Sequence, residues 1–436
     1  MNPDMTILVI VAAVLLLMAS GYPIAFGLIS IAVLGCWAFA GVNSVGSIYL
    51  TLFGSMTKDI YISIPLFVFM AGLLEVSGVG KNMYDVMNNW LGEVRGGLAI
   101  GTIAICTLIA AMTGLSGTGT LITGMIAYPE MRKRGYDKSL AIGVVPSGGA
   151  LGPLIPPSIP NILVGGMTGI SVGKLFMAGL LPGIACALAF IMYIVLICHI
   201  RPSVAPKLSR EDRPSLRFKL ASSVKLLSPL ALISLVLGTI YTGVATPTEA
   251  AAMGATGALL IGVISRNITW SNLRSAVTST YKITAMCMWL VLGGSAFSSL
   301  CGVTGVKVAI YDFVAVLPFG SMGIFILIMV LIFIMGMFIE TASILMVVIP
   351  ILGPLNVILG FDPVWFFFMI AFNAIIGTIT PPFGYGLFFF HGLGHKDVSI
   401  ADIYKAVIPF CICMAIVLTL CTIFPEIVLW IPRMME

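Results

Sequence analysis

The stretch MTGLSGTGTLITGMIAYPEMRKRGYDKSLAIGVVPSGGALGPLIPP, residues 112–157, decides the reading, because the chain carries its pattern twice. Displaced by 225 positions without a gap, Met112 meets Met337, Ile126 meets Ile351, Pro129 meets Pro354 and Gly135 meets Gly360. Asp137 then meets Asp362, Gly152 meets Gly377, and Pro156-Pro157 meet Pro381-Pro382. These are eight matches in 46 positions, where this composition gives roughly three to four by chance. Their kind matters more than their number. Gly, Pro and Asp set backbone geometry, so what recurs is the path of the chain.

Hydrophobic residues make up 59% and charged residues 9% of the sequence. A soluble domain carries about a quarter charged residues, so the chain is read as a polytopic membrane protein. The net charge of +5 does not point to nucleic acid, because what counts is where the charges sit along the chain. Nine cysteines lie scattered in apolar runs without a CxxC pair and read as buried structural thiols. Met1-Asn2-Pro3-Asp4 lacks a basic n-region, so Met5–Ser20 reads as a first span and not a cleaved signal.

Working outward, apolar segments fall near 5–20, 23–40, 60–78, 98–131, 138–170 and 175–200. After a polar linker they resume near 228–243, 248–265, 281–302, 321–354, 363–390 and 405–432. Most suffice to cross the roughly 30 Å hydrocarbon core. Four are too long for one span and carry breakers in the middle: 98–131, 138–170, 321–354 and 363–390. The centre of 98–131, Thr113-Gly-Leu-Ser-Gly-Thr-Gly119, is poor helix material. Arms of roughly 13–15 residues would reach about 20–22 Å, short of a crossing, which predicts a re-entrant hairpin. Its counterpart puts Gly336-Met-Phe-Ile-Glu-Thr-Ala-Ser343 at the second tip. Each hairpin precedes a helix interrupted by paired prolines, whose freed carbonyls must meet protein, water or a cation.

With each hairpin counted as no crossing, each half has five spans, an odd number, so the halves are inverted. Placing the linker in the cytoplasm puts 18 of the 22 Lys and Arg residues inside, leaving Lys58, Lys174, Lys307 and Arg433 outside. That is the positive-inside bias. The inside set includes Lys207, Arg210 and Arg213 of the linker, and both termini lie on the outer side. Residues 81–95 and 307–312 read either as interfacial arm helices or as ordinary loop. The predicted fold is all-α and polytopic, with about ten transmembrane helices, two re-entrant hairpins and two inverted-topology repeats. This is the pattern of a secondary transporter. The expected division is scaffold at 1–96, transport part at 97–200, cytoplasmic linker at 201–227, scaffold at 228–320 and transport part at 321–436.

The set Gly135-Tyr-Asp137, Gly149-Ala-Leu-Gly-Pro-Leu-Ile-Pro-Pro-Ser158, Phe176-Met-Ala-Gly-Leu-Leu-Pro-Gly183, Thr246-Pro-Thr-Glu-Ala250 and Thr380-Pro-Pro382 resembles the large membrane subunit of tripartite ATP-independent periplasmic (TRAP) transporters. The resemblance covers essentially the whole chain. It implies an elevator transporter of the bacterial inner membrane, driven by a sodium gradient. It also implies a soluble periplasmic substrate-binding protein that delivers a small organic acid, and a small four-span membrane subunit. At the first tip, the family's third-position hydroxyl is replaced by Leu115, so a ligand there must be a backbone carbonyl. At the second, Glu340-Thr-Ala-Ser343 lacks the family's proline.

No Lys or Arg lies in the middle of any apolar segment, so an anion at mid-membrane must be held by helix N-termini, hydroxyls and bound cations. Sodium suits exposed carbonyls and supplies charge. A first sodium is expected between the tip (Thr113, Ser116) and the break (Gly152, Ile155, Pro157). A second is expected between Glu340, Thr341, Ser343 and Gly377, Thr380, Pro382. Thr118, Thr120 and Ser158 are the expected substrate contacts. The alternative for any such hydroxyl is helix capping or back-bonding to carbonyls.

Among the other acids, Thr246-Pro-Thr-Glu249 reads as a capping box, and Glu75 as a solvated residue near a span end. His391 and His395 read as interfacial. No HExxH, no nucleophile with a nearby base and no GxxxxGK[ST] loop occurs, which argues against an enzyme. A stand-alone sodium–organic anion symporter and, more remotely, a channel are the competing classes.

Overall fold

The computed structural model describes residues 3–206 and 214–435. Lys207, Arg210 and Arg213 of the linker, with Met1, Asn2 and Glu436, lie outside the described residues. The chain is all-helical, with no strand among those residues. The first half comprises α1 (Pro3–Ser20), α2 (Ile24–Ala40), α3 (Val45–Met56), α4 (Ser63–Val76), α5 (Val79–Leu91), α6 (Gly97–Thr113), α7 (Ser116–Lys133), α8 (Lys138–Gly149), α9 (Ile159–Thr168) and α10 (Val172–Ile200). The second comprises α11 (Leu216–Ser223), α12 (Leu227–Tyr241), α13 (Pro247–Ile264), α14 (Trp270–Val303), α15 (Val306–Val316), α16 (Ser321–Phe338), α17 (Thr341–Leu352), α18 (Leu355–Leu359), α19 (Pro363–Thr378), α20 (Tyr385–His391), α21 (Ile400–Ile423) and α22 (Glu426–Arg433). Among the described residues, seven helical stretches are long and apolar enough to cross a membrane. Shorter apolar helices include α1, α2, α6, α9, α17 and α19.

Helix starts fall in step with the 225-residue displacement: Ser116 with Thr341, and Lys138 with Pro363. The repeated residues explain why. Gly135 and Gly360 take left-handed φ of 78° and 72°, which side-chain-bearing residues rarely adopt. Two residues on, Asp137 accepts from the N–H groups of Ser139 and Leu140 at 2.9 and 3.2 Å. Asp362 does the same for Val364 and Trp365 at 2.8 and 3.2 Å. A Gly-x-Asp triplet thus turns the chain and caps the next helix in both halves. Both proline pairs, Pro156-Pro157 and Pro381-Pro382, carry a cis peptide bond.

Several boundaries differ from the sequence reading. The hairpin arms are longer than expected, at 17 residues for α6 and 18 for α7, because only Gly114 and Leu115 of the stretch 113–119 leave the helix. The segment 405–432 is two helices, since Pro425 at the N-cap of α22 removes an N–H the ladder would need. α14 runs 34 residues, because the polar stretch 270–280 continues the helix beyond the apolar window. α3 lies where no segment was predicted. Thr246 and Glu249 form the expected capping box, and the two charged amphipathic stretches lie largely in the helices α5 and α15. α5 also holds the linker helix α11, through Trp90 Nε1 donating to Ser223 Oγ at 2.9 Å, and Glu93, just beyond α5, pairs with Lys219. All nine cysteines are free thiols, buried or half-buried.

Candidate functional site

The first tip is the two-residue turn Gly114-Leu115 between α6 and α7. Gly114 takes φ 65°, and Leu115 is extended. The arms pack side by side, with Cys106 Sγ 3.6 Å from Thr123 Oγ1. This tip is pressed into the first break. A methyl on Gly114 would collide with the carbonyl oxygen of Pro157, and one on Gly152 would lie 2.6 Å from the carbonyl oxygen of Leu115. The break closes on itself: Ile155 N–H donates to Leu151 O at 2.8 Å. Ser158 caps α9 by accepting from Asn161 N–H at 3.4 Å while donating to Pro153 O.

The second tip is Ile339-Glu340, both extended, between α16 and α17. Its contact with the second break is backbone on backbone. A methyl on Gly377 would lie 2.5 Å from the Cα of Gly336, and Gly384 N–H donates to Met337 O at 3.0 Å. Asn373 Nδ2 donates to Met329 O at 2.6 Å, fastening α19 to α16. In the first half the hairpin tip, and in the second the last turn of α16 beside it, touches the helix break that follows.

Both tips and both breaks open into one cavity of about 390 Å³. Its wall includes Gly114–Thr118 of the first tip, Pro153 and Pro160 near the first break, and Glu340–Ala342 of the second tip. Thr378, Tyr385 and Gly386 come from around the second break. The opposite wall is α4 with Val68, Ala71, Gly72 and Glu75, and α14 with Ser279, Ile283, Met286 and Cys287.

The expected site residues divide as follows. Ser116, Thr118, Glu340 and Thr341 line the cavity. Thr113 is buried beneath the first tip, its hydroxyl donating to Ile109 O at 2.9 Å. Thr380 likewise donates to Ile376 O at 2.8 Å. Such back-bonding uses the proton and leaves oxygen lone pairs able to face a cation. Gly152, Ile155 and Pro157 are buried in the first break, and Gly377 in the contact with Gly336. Ser343 is buried, its N–H held by Glu340, whereas Pro382 is exposed. Thr120 is buried with its hydroxyl against Gly149, and Ser158 is occupied as a cap; neither is among the lining residues.

The two helix starts at the tips are held differently. Glu340 Oε2 accepts from the N–H groups of Ala342 and Ser343 at 2.9 and 3.3 Å, capping α17 with a carboxylate. The matching position in the first repeat is Leu115, which offers α7 no side-chain acceptor. The first N–H groups of α7, whose residues Ser116–Thr118 line the cavity, therefore have no side-chain cap.

Sequence reasoning did not find the α4 and α14 wall. Glu75, read as solvated near a span end, is exposed one residue before the end of α4, and the structure adds that it stands in the cavity wall. The signal was present, since a lone acid within an apolar run is expensive and usually tied to function. The histidines sit near a separate contact between the halves. Tyr128 of α7 donates to Asp397 at 2.7 Å, and the His395 ring centroid lies 4.6 Å from that of Tyr128. His395 is half-buried there, and His391 is exposed.

Known proteins resemble this chain over most of its length. The family described as "Tripartite ATP-independent periplasmic transporter, DctM component" matches residues 11–427. The C4-dicarboxylate TRAP transporter large permease protein DctM of Pseudomonas aeruginosa is 31% identical over 392 residues, covering 90% of each chain. The ectoine TRAP transporter large permease protein TeaC of Halomonas elongata is 29% identical over 427 residues, covering 97% of this chain and 98% of that one. Among solved structures, the Alcanivorax borkumensis YdaH transporter superposes with a TM-score of 0.63 at 13% identity, covering 91% of this chain and 90% of that one. That last likeness is one of fold alone.

Proposed function

Because the chain belongs to the DctM component family of tripartite ATP-independent periplasmic transporters, a transporter component and not an enzyme, we propose that it carries a small organic acid inward, driven by a sodium gradient. One observation carries this reading: two hairpin tips and two proline breaks meet two further helices around a single cavity. In the proposed mechanism, a first sodium is held by Thr113, Ser116 and the carbonyls of Gly152, Ile155 and Pro157. A second is held by Glu340, Thr341, Ser343, Gly377 and Thr380, with Pro382 shaping the break. The cations supply positive charge where the wall has none, and the cargo's acid group faces the start of α7 beside Thr118. Thr120 and Ser158, each buried behind the wall, position the tip and the break.

The two repeats are proposed to be inverted, with both termini periplasmic in the bacterial inner membrane. Residues 97–200 and 321–436 would slide as an elevator against the scaffold of 1–96 and 228–320, with 201–227 linking the halves on the cytoplasmic side. A periplasmic binding protein would deliver the cargo, and a small four-span membrane subunit would complete the assembly. Uptake into proteoliposomes, with and without sodium and with and without the binding protein, tests this. Uptake that is unchanged in sodium-free medium refutes the coupling. Uptake at full rate without the binding protein supports a stand-alone symporter, and non-saturating flux supports a channel.

A further inference from the structure

The wall of the central cavity carries charge of one sign. Glu75 and Glu340 line it, with no Lys, Arg or His among the described lining residues. The two carboxylates are held unequally. Glu340 is met by two backbone N–H groups of α17, so the helix end answers its charge. Glu75 stands on the α4 wall with no hydrogen bond or ion pair from any described residue. The Glu75 side chain is exposed, so it keeps its negative charge and biases the cavity toward cationic groups.

Resting on the transport function proposed above, we infer that Glu75 is a specificity residue and that the cargo carries a cationic nitrogen, an ammonium or amidinium, on a small organic acid. A dianion would have only the sodium ions and the helix start proposed above to answer its charge and would meet Glu75 with like charge. A zwitterion meets Glu75 with opposite charge and keeps its acid group for the uncapped start of α7. The repeats divide the work. At the position of Glu340 the first repeat has Leu115, so one tip brings its own carboxylate and the other receives the cargo's.

The test uses the full chain purified into lipid nanodiscs in sodium buffer, with taurine and isethionate as probes. These sulfonates have the same length and differ in ammonium against hydroxyl. Taurine is expected to raise the melting temperature with a midpoint at least tenfold below that of isethionate. Glu75→Gln should bring the two midpoints within twofold, and Glu75→Asp should restore the preference. An equal response of the wild type to both probes, including none to either, overturns the inference. So does a taurine preference that survives Glu75→Gln. A sodium titration without solute separates the two claims. Glu75→Gln that loses the sodium shift makes Glu75 a sodium ligand and overturns the cargo assignment alone, whereas a wild type without any sodium shift overturns the transport reading as well.

Discussion

Substituting Gly152 with alanine probes the contact between tip and break directly. The added methyl would lie 2.6 and 2.7 Å from the carbonyl oxygen and carbon of Leu115, and 3.0 Å from the nitrogen of Ser116. All three atoms are backbone, so no side chain can swing aside, and the tip itself must retreat. Overpacking of this kind costs about 1–3 kcal/mol, and rigid neighbours place Gly152→Ala toward the upper end. Gly54→Ala in α3 is the control. Nothing lies within 4 Å of its methyl, and relief of helix glycine entropy should stabilise it by roughly 0.5–1 kcal/mol. The two substitutions are therefore expected to differ in sign.

If sodium lies between tip and break, Gly152→Ala should also lose the ligand's contribution. At ten times the dissociation constant, RT ln(1 + [L]/Kd) is about 1.4 kcal/mol. The assay is thermal denaturation in nanodiscs, titrated with sodium at constant ionic strength. Gly54→Ala should keep the full sodium shift, and Gly152→Ala should lose most of it. A Gly152→Ala protein as stable as Gly54→Ala, or one with an undiminished sodium shift, refutes the reasoning.

Three further outcomes follow from the same geometry. Glu340→Gln keeps an acceptor for Ala342 and Ser343 but removes the charge; stability should fall by less than the roughly 1 kcal/mol of a lost cap, while sodium-stimulated uptake drops at least tenfold. The Tyr128 hydroxyl, with Arg132 adding a smaller effect, holds Asp397 below its ordinary carboxylate range. That contribution is fully present above the unfolded carboxylate's pKa and is lost as pH falls through the lower folded value. Tyr128→Phe should therefore flatten the acid limb of a melting-temperature profile and leave the sodium shift at neutral pH unchanged. Without sodium, proteoliposome uptake should fall to the background of empty vesicles.

The sequence by itself determined the membrane class, the doubled element and the residues that shape it. Apolar runs, paired prolines and Gly-x-Asp triplets act on the chain within a few residues of themselves, so their effects can be read locally. It also gave away the Thr246–Glu249 cap, which involves one turn of helix. The tertiary structure alone decided what faces the tips. Glu75 and Ser279 lie about 200 positions apart in the chain, and only the packing of α4 and α14 places them on one wall. It also decided that Thr118 faces the cavity while Thr120 turns to Gly149, because a two-residue step swings a helical side chain through about 200°. Nothing in the residue types records which side of α7 would meet α8.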